Sequence, residues 1–515
     1  GAFFGSILGI ILATVLAVVI IIAVIKSSVN GAFKEEKSSG VVKENTILKL
    51  TLNGIINDRE KLNPFKEFGG ESPFAGNNDL GLNSLTKKIK YAATDKNIKG
   101  IYLNVQSVQT GFAVIHELRE TLAQFKKSGK FIYAYSENYA QHEYYLASVA
   151  DKVFLNPQGS MEWKGLNMSL MFFKNTLEKL DIEMQVFRHG KFKSAVEPFL
   201  LDKMSQANRF QSETFLNTIW NSMLNGISES RKISVDDLNK MANNLEIQFP
   251  EDALGKFLDA TAYEDEVVSE LKKKIGLKEK DKMKMVEIAK YEAKIKPDLK
   301  LNNTKIAVIY ASGSISDGEG SDDEIGSEGL AKAIREARLD DKIKAIVLRV
   351  NSPGGSALAS DVIWREVVLA KKAKPFVVSM GHLAASGGYY ISCAADRIFA
   401  QPNTITGSIG VFGIIPNMQK MLEKKFGITI DTVCTNKHSD MANGLRAVNE
   451  TEYNFIQKGV EKVYDTFTQH VAEGRKMTQA EVDSIGQGRV WAGADAVKIK
   501  LVDELGGLDD ALAYA

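Results

Sequence analysis

Three glycine-rich points in the second half of the chain could carry acyl-transfer chemistry. They are Asn351-Ser-Pro-Gly-Gly-Ser356, Gly381-His-Leu-Ala-Ala-Ser-Gly-Gly-Tyr389 and Thr406-Gly-Ser-Ile-Gly410. Each follows a strand-like apolar run, and the carboxyl ends of strands in an open α/β sheet converge on one crevice. In the second point Ser386 stands among Ala384, Ala385, Gly387 and Gly388. A serine at a helix start, with small neighbours and free backbone N–H groups nearby, meets the demands of a nucleophile beside an oxyanion hole. The competing reading is a serine that caps a tightly packed helix. The Ser-Pro-Gly-Gly turn could lend oxyanion donors from Gly354 and Gly355, or it is only a tight turn that needs positive φ. It lacks the lysine and spacing of a phosphate-binding loop.

A serine of this kind needs a base. His382 is four residues from Ser386, but no Asp or Glu is placed to orient it, which weakens a Ser-His-Asp reading. A lysine serves only if burial strips its proton near neutral pH. Lys193, in Gly190-Lys-Phe-Lys-Ser-Ala-Val-Glu-Pro-Phe-Leu200, sits between apolar groups, with Lys191 as its rival. On pattern alone a solvated surface lysine is the competing reading for both.

The elements that must position these residues come in two copies. Leu85–Ser107 resembles Leu330–Ser352 at a shift of 245, and the same shift pairs Lys126 with Lys371, Tyr144-Tyr145 with Tyr389-Tyr390 and Asp151 with Asp396. Arg231-Lys-Ile-Ser later resembles Arg475-Lys-Met-Thr. At this shift Ser386 falls on Gln141 and Gly354-Gly355 on Gln109-Thr110, so the first copy lacks the serine and the glycines. A purely structural turn would be kept in both copies. In the second copy the runs Ile306–Tyr310, Ala345–Val350 and Phe376–Met380 alternate with helical patterns over Glu328–Arg338 and Ser360–Lys372. That alternation predicts parallel βαβ units with helices on both faces of the sheet. The Lys-rich segment 277–300 reads as a helical linker between the copies.

Composition narrows the class. The 515 residues are 44% hydrophobic and 25% charged, ordinary for a folded protein of more than one core. A net charge of +1 gives no reason to expect nucleic acid as a partner. Two cysteines, Cys393 and Cys434, allow at most one disulfide, and six scattered histidines without HExxH or CxxC argue against a metal site. Residues 7–25 are almost wholly apolar, long enough to cross a bilayer as a retained anchor rather than a cleaved signal. Lys26, Lys34, Lys37 and Lys43 follow the span, and the positive-inside rule would place them in the cytoplasm.

Together Ala384-Ala-Ser-Gly-Gly-Tyr389, Ser352-Pro-Gly-Gly355, Thr406-Gly-Ser-Ile-Gly410 and Lys193-Ser-Ala-Val-Glu-Pro-Phe199 resemble the signal peptide peptidase A family in its long form, also called protease IV. The resemblance covers nearly the whole chain. It implies an α/β protein with two tandem Clp-protease/crotonase-like domains preceded by one N-terminal transmembrane helix. The expected division is an anchor at 1–28, a stalk at 29–45, a first repeat at 46–302 carrying the lysine and a second at 303–515 carrying the serine. It implies a Ser/Lys dyad of Ser386 and Lys193, an oxyanion region at Gly354, Gly355 and Gly387, and Ser408 orienting the lysine. Neither copy then suffices alone. No cofactor or metal is implied. The implied substrates are signal-peptide remnants and other unfolded apolar peptides. The implied assembly is a homotetramer held in the inner (plasma) membrane through residues 7–25, with its catalytic domains on the extracytoplasmic, periplasmic side, against the charge bias after the span. The alternatives are a non-catalytic peptide-binding membrane scaffold and a crotonase-like CoA enzyme.

Overall fold

Parallel strands buried on both faces read as continuous apolar runs, and the chain folds accordingly. The computed structural model describes residues 42–60, 80–292 and 304–515. The expected membrane span at 7–25, like the rest of 1–41, lies outside the described residues. Among the described residues no helix is long and apolar enough to cross a membrane. Cys393, buried, and Cys434, exposed, are both free thiols.

In the first copy β1 (Thr46–Asn57), α1 (Leu82–Thr94), β2 (Ile98–Gln109), α2 (Phe112–Lys126), β3 (Phe131–Tyr139), α3 (Gln141–Ala147) and β4 (Lys152–Met161) alternate. Their strands form a parallel sheet in the order β1-β2-β3-β4. There follow β5 (Glu183–Arg188) and the long helix α4 (Gln206–Arg231). The second copy repeats the plan with β6 (Lys305–Ser312), α5 (Ser327–Leu339), β7 (Ile343–Ser352), α6 (Ala357–Ala373), β8 (Phe376–Ala385), α7 (Gly387–Tyr390), β9 (Arg397–Ala400), β10 (Ile405–Gly407), β11 (Phe412–Asn417) and α8 (Glu450–Arg475). Its sheet runs parallel through β6-β7-β8, and β8 continues to β9 and, further along, to β10. Both long helices have 26 residues. Each starts at a side-chain cap, Ser205 on Asn208 N and Asn449 on Glu452 N, and each ends on a left-handed lysine, Lys232 and Lys476.

The expected strand and helix positions of the second copy are met with one difference, and the segment before it differs as well. Gly381–Ala385, read from sequence as a loop, belongs to β8. Between the pairs Val350↔Met380 and Ser352↔Ala384 two extra residues bulge from β8. The bulge is held by Leu383 N on Asn351 Oδ1 (3.1 Å) and lets the strand end beside β10. The segment 277–300 is not a helical linker through its described part. Lys284–Glu287 adds a parallel strand to β1, and buried Tyr291 donates its hydroxyl to Asp95 (2.9 Å), so this stretch completes the first sheet.

The copies are locked into one unit spanning Glu44–Ala515. β5 of the first pairs antiparallel with β11 of the second. At a second contact Arg349 of β7, almost fully buried, meets Asp58 (2.8 Å) and Glu117 (2.9 Å) of the first copy. The β5–β11 ladder matters most for function. Arg188 lies opposite Phe412, so the chain leaving β5 and the chain entering β11 run side by side. They carry Lys193 and Ser408.

Candidate active site

Ser386 joins β8 to α7 with φ 56° and ψ −120°, a backbone state that costs a non-glycine residue roughly 1–3 kcal/mol. It is pinned there from both sides. Its N–H donates to Gly407 O (2.9 Å), and its carbonyl accepts from Tyr389 N and Tyr390 N (both 2.9 Å). The hydroxyl caps nothing, so the helix-cap reading of this serine fails: the helix is closed by the backbone and the side chain is left free. The Ser-Pro-Gly-Gly turn presses against it. A Cβ on Gly354, whose φ is +97°, would lie 2.5 Å from Gly387 N and 2.8 Å from the Ser386 Cβ, so only glycine admits this approach.

The three expected oxyanion glycines separate into two roles. Gly354 N–H is already used, donating to Ser352 Oγ (3.1 Å). Its carbonyl and Ser356 N clamp Ile315 at 2.9 and 2.8 Å. Gly355 N and Gly387 N have no partner among the described residues, and an ideal Cβ on Gly387 would lie 3.2 Å from Gly355 N. Two N–H groups without a partner among the described residues, one of them on the residue that follows Ser386, therefore lie near one another, while Gly354 supplies the close contact to Ser386.

Lys193 ends the loop that leaves β5, just before the short turn Ser194–Val196. It is 5% exposed. Its Nζ lies 3.2 Å from Ser386 Oγ, 3.0 Å from Ser408 Oγ and 3.3 Å from Ser408 O, with the Phe412 ring centroid at 5.8 Å. Among the described residues it makes no ion pair with a carboxylate. Burial alone pushes its pKa down to about 8. Ser408 is held by its own N–H on Arg489 O (2.7 Å) and, like Ser386, has a left-handed backbone, with φ 50°.

The rivals lie elsewhere. Lys191 is exposed. The His382 ring packs on Gly111 of the first copy, where a Cβ would come within 2.0 Å of its Cγ, and its buried Nδ1 has no partner among the described residues. Burial lowers the pKa of His382, and no contact links it to Ser386.

Sequence reasoning missed the turn Gly486–Arg489, which walls the lysine in. Gln487 O accepts Phe192 N (3.0 Å), Gly488 N donates to Ile409 O (2.6 Å), and a Cβ on Gly488 would meet Lys193 N at 2.6 Å. The Gly-Gln-Gly triplet was the available signal. In the first copy Gln141, at the place of Ser386, is buried. Its Oε1 accepts Lys164 N (2.9 Å) and Gly165 N (2.8 Å), and its Nε2 donates to Gly165 O (2.9 Å).

Comparison with known proteins agrees with this geometry. The family model Peptidase family S49 matches residues 124–278 and again 369–515, the two stretches starting 245 residues apart. A Clp protease model matches residues 302–406, the sheet that carries the serine. Protease 4 of Salmonella typhi is 38% identical over 94% of this chain and 79% of its own length. The chloroplastic serine protease SPPA of Arabidopsis thaliana is 34% identical over 92% of this chain and 69% of its own. A putative signal peptide peptidase SppA of Enterococcus faecium is 37% identical over 41% of this chain and 62% of its own. A duplicated Clp-protease-like α/β fold with a serine hydroxyl 3.2 Å from a buried lysine thus meets two matches to one family: this chain belongs to peptidase family S49 and is a serine peptidase.

Proposed function

We propose that Ser386 is the nucleophile and Lys193 its general base. The carrying observation is the 3.2 Å approach of a buried Nζ, without a counter-ion, to a hydroxyl that caps nothing. An uncharged amine has two N–H donors and one lone pair. Ser408 O and Ser408 Oγ take the two donors, which turns the lone pair to the Ser386 O–H. Lys193 then accepts the hydroxyl proton as Oγ attacks the peptide carbonyl. Gly355 N–H and Gly387 N–H hold the oxyanion. The ammonium returns its proton to the leaving amine, leaving an ester on Ser386. Neutral Lys193 next takes a proton from water, which attacks the ester, and the proton passes back to Ser386 Oγ as the acid departs. No metal or cofactor takes part. Acylation of Ser386 by an activated peptide ester tests the assignment: wild type should label, while Ser386→Ala and Lys193→Ala stay unlabelled with folding intact. Labelling of Lys193→Ala at the wild-type rate would refute it.

The substrates we infer are signal-peptide remnants and other unfolded apolar peptides, on the strength of the SppA-named relative and of the apolar segment 7–25, which fits a protein held at the membrane that its substrates come from. We place the catalytic domains on the extracytoplasmic side of the inner membrane; protease protection of spheroplasts against intact vesicles tests this.

A homotetramer is our reading of the assembly. At the 245 shift the counterparts of β5 and β11 are 428–433 and 167–172. Neither pairs with a strand among the described residues, and they expose Ile428, Val433, Leu170 and Met171. A second chain could repeat the β5–β11 contact through them, head to tail, until a ring closes. Val433→Asp should then yield monomers by light scattering; an unchanged mass would remove this interface.

A further inference from the structure

We propose that Gln211 is a positioning residue for this reaction: its buried amide ties the lysine loop of the first copy to the Ser408 segment of the second. The proposal rests on the Ser386/Lys193 assignment. Gln211 lies in the second turn of α4 and is 2% exposed. Its Nε2 donates to Phe192 O (3.1 Å) and Ser194 Oγ (3.0 Å), the residues on either side of Lys193. Its Oε1 accepts Val490 N (3.2 Å) from the second copy. The preceding residue, Arg489, offers the carbonyl that holds Ser408 N at 2.7 Å. Ser408 Oγ in turn meets Lys193 Nζ at 3.0 Å. The bonds close a ring: lysine amine, Ser408, the 489–490 strand, Gln211, lysine backbone. Opening it at Gln211 loosens the lysine loop relative to Ser408, leaving Phe192 N on Gln487 O (3.0 Å) as a remaining tie, while both copies keep their cores.

The chain supplies its own control. The two long helices align at a shift of 244, from Ser205 to Asn449, and this puts Phe455 at the place of Gln211. Phe455 is 68% exposed and does not cross-link the copies. The helix therefore needs no glutamine here for its own sake. A buttress stands behind Gln211. Asn208 Oδ1 accepts from Gln211 Nε2 (3.3 Å), and Asn208 Nδ2 donates to buried Glu197 (2.9 Å), four residues after the lysine.

The test compares full-length wild type, Gln211→Met, which keeps the volume without the hydrogen bonds, and Lys193→Ala. The readouts are the rate of Ser386 acylation by an activated peptide ester from pH 6 to 10, KM, and the urea midpoint. We expect Gln211→Met to stay folded, with KM within about twofold, acylation about 10–100-fold slower at pH 7, and the rising limb displaced to higher pH as water reaches the amine. A folded Gln211→Met with wild-type rate and limb would overturn the proposal, as would a rate loss with an unmoved limb. If Gln211→Met fails to fold, Ser194→Ala removes one acceptor and should move the limb the same way by less; an unmoved limb overturns the proposal equally. Wild-type acylation in Lys193→Ala would sink the base assignment instead. An inactive Lys193→Ala beside an unaffected Gln211→Met would sink only the positioning role.

Discussion

Replacing Lys193 by Met should abolish peptide hydrolysis and, at neutral pH, remove a stability penalty. The folded protein holds the amine at a pKa of about 8 against 10.5 for an ordinary lysine, and burial is the cause. The sign follows from proton counts. Between pH 8 and 10.5 the unfolded chain binds this proton and the folded chain does not, so wild-type stability rises with pH across that window. Below pH 8 both states are protonated and the folded state carries the full penalty, about 3 kcal/mol for 2.5 pKa units. Above 10.5 the penalty is gone. Lys193→Met has no such term, although it forfeits the contacts with Ser408, a loss that does not vary with pH. The stability of Lys193→Met minus that of wild type should therefore be greatest below pH 8 and fall by about 3 kcal/mol as pH rises to 10.5. Urea unfolding at several pH values, with both proteins in a Ser386→Ala background to prevent self-digestion, measures this. A difference that is flat with pH would mean the amine titrates normally in the fold, and base catalysis by Lys193 near pH 7 would lose its ground. The same shift sets the activity profile: at pH 7 about one amine in ten is neutral, against about one in three thousand for an unshifted lysine. The acid limb of kcat/KM should accordingly lie near pH 8.

Three further outcomes follow from the same contacts. Ser408→Ala deletes the hydroxyl 3.0 Å from Nζ but leaves the carbonyl at 3.3 Å, so kcat should drop about 10–100-fold with KM little changed; a wild-type kcat would show that the carbonyl alone holds the amine. Gly354→Ala places a methyl group 2.5 Å from Gly387 N and should abolish acylation of Ser386, whereas Gly129→Ala, also at positive φ but facing open space, should cost only about 1 kcal/mol and leave activity intact. Arg349→Met strands Asp58 and Glu117 as buried charges between the copies and should cost about 3–5 kcal/mol in urea unfolding, recovered in large part by adding Asp58→Asn and Glu117→Gln.

What could be read in the sequence was whatever local pattern or repetition controls. The strands and helices of the second copy announce themselves by period and punctuation, and Ser386, Gly354 and Ser408 lie in motifs dense enough in small residues to stand out. Lys193 was legible only through its motif and the resemblance it supports, since its burial comes from contacts with Ser408, Gly410 and Gly488, more than 200 residues away. The same separation hid Gln211 and Val490: a glutamine in a helix carries no sign that its amide will meet a backbone N–H 279 positions on. The β8 bulge escaped because it is set by the register against β7 and β10, which local propensity does not encode. Arg349 escaped because a single charge in an apolar strand reads as an edge residue until its two carboxylates from the other copy are in place.

The duplication separates scaffold from chemistry more sharply than burial does. Tyr144 donates to Phe257 O and Tyr389 to Leu501 O, both at 2.8 Å. Val153 N and Ile398 N each donate to an aspartate, Asp259 and Asp503, at 2.8 Å, and each aspartate also pairs with an arginine at the end of its long helix, Arg231 or Arg475. Lys126 and Lys371 reach the carbonyls of Val149 and Ala394, both at 2.9 Å. These polar contacts occur twice because each sheet needs them to hold its own helices. Ser386, Gly354, Gly355, Lys193 and Gln211 have no such twins, though they lie on elements that do. A missing twin does not by itself mark chemistry, since Arg349 pairs with Asp58 and Glu117 only once, but these five residues converge on one place. That convergence is what the two copies provide together: one sheet presents the hydroxyl, and the other supplies a loop that carries a buried amine to it.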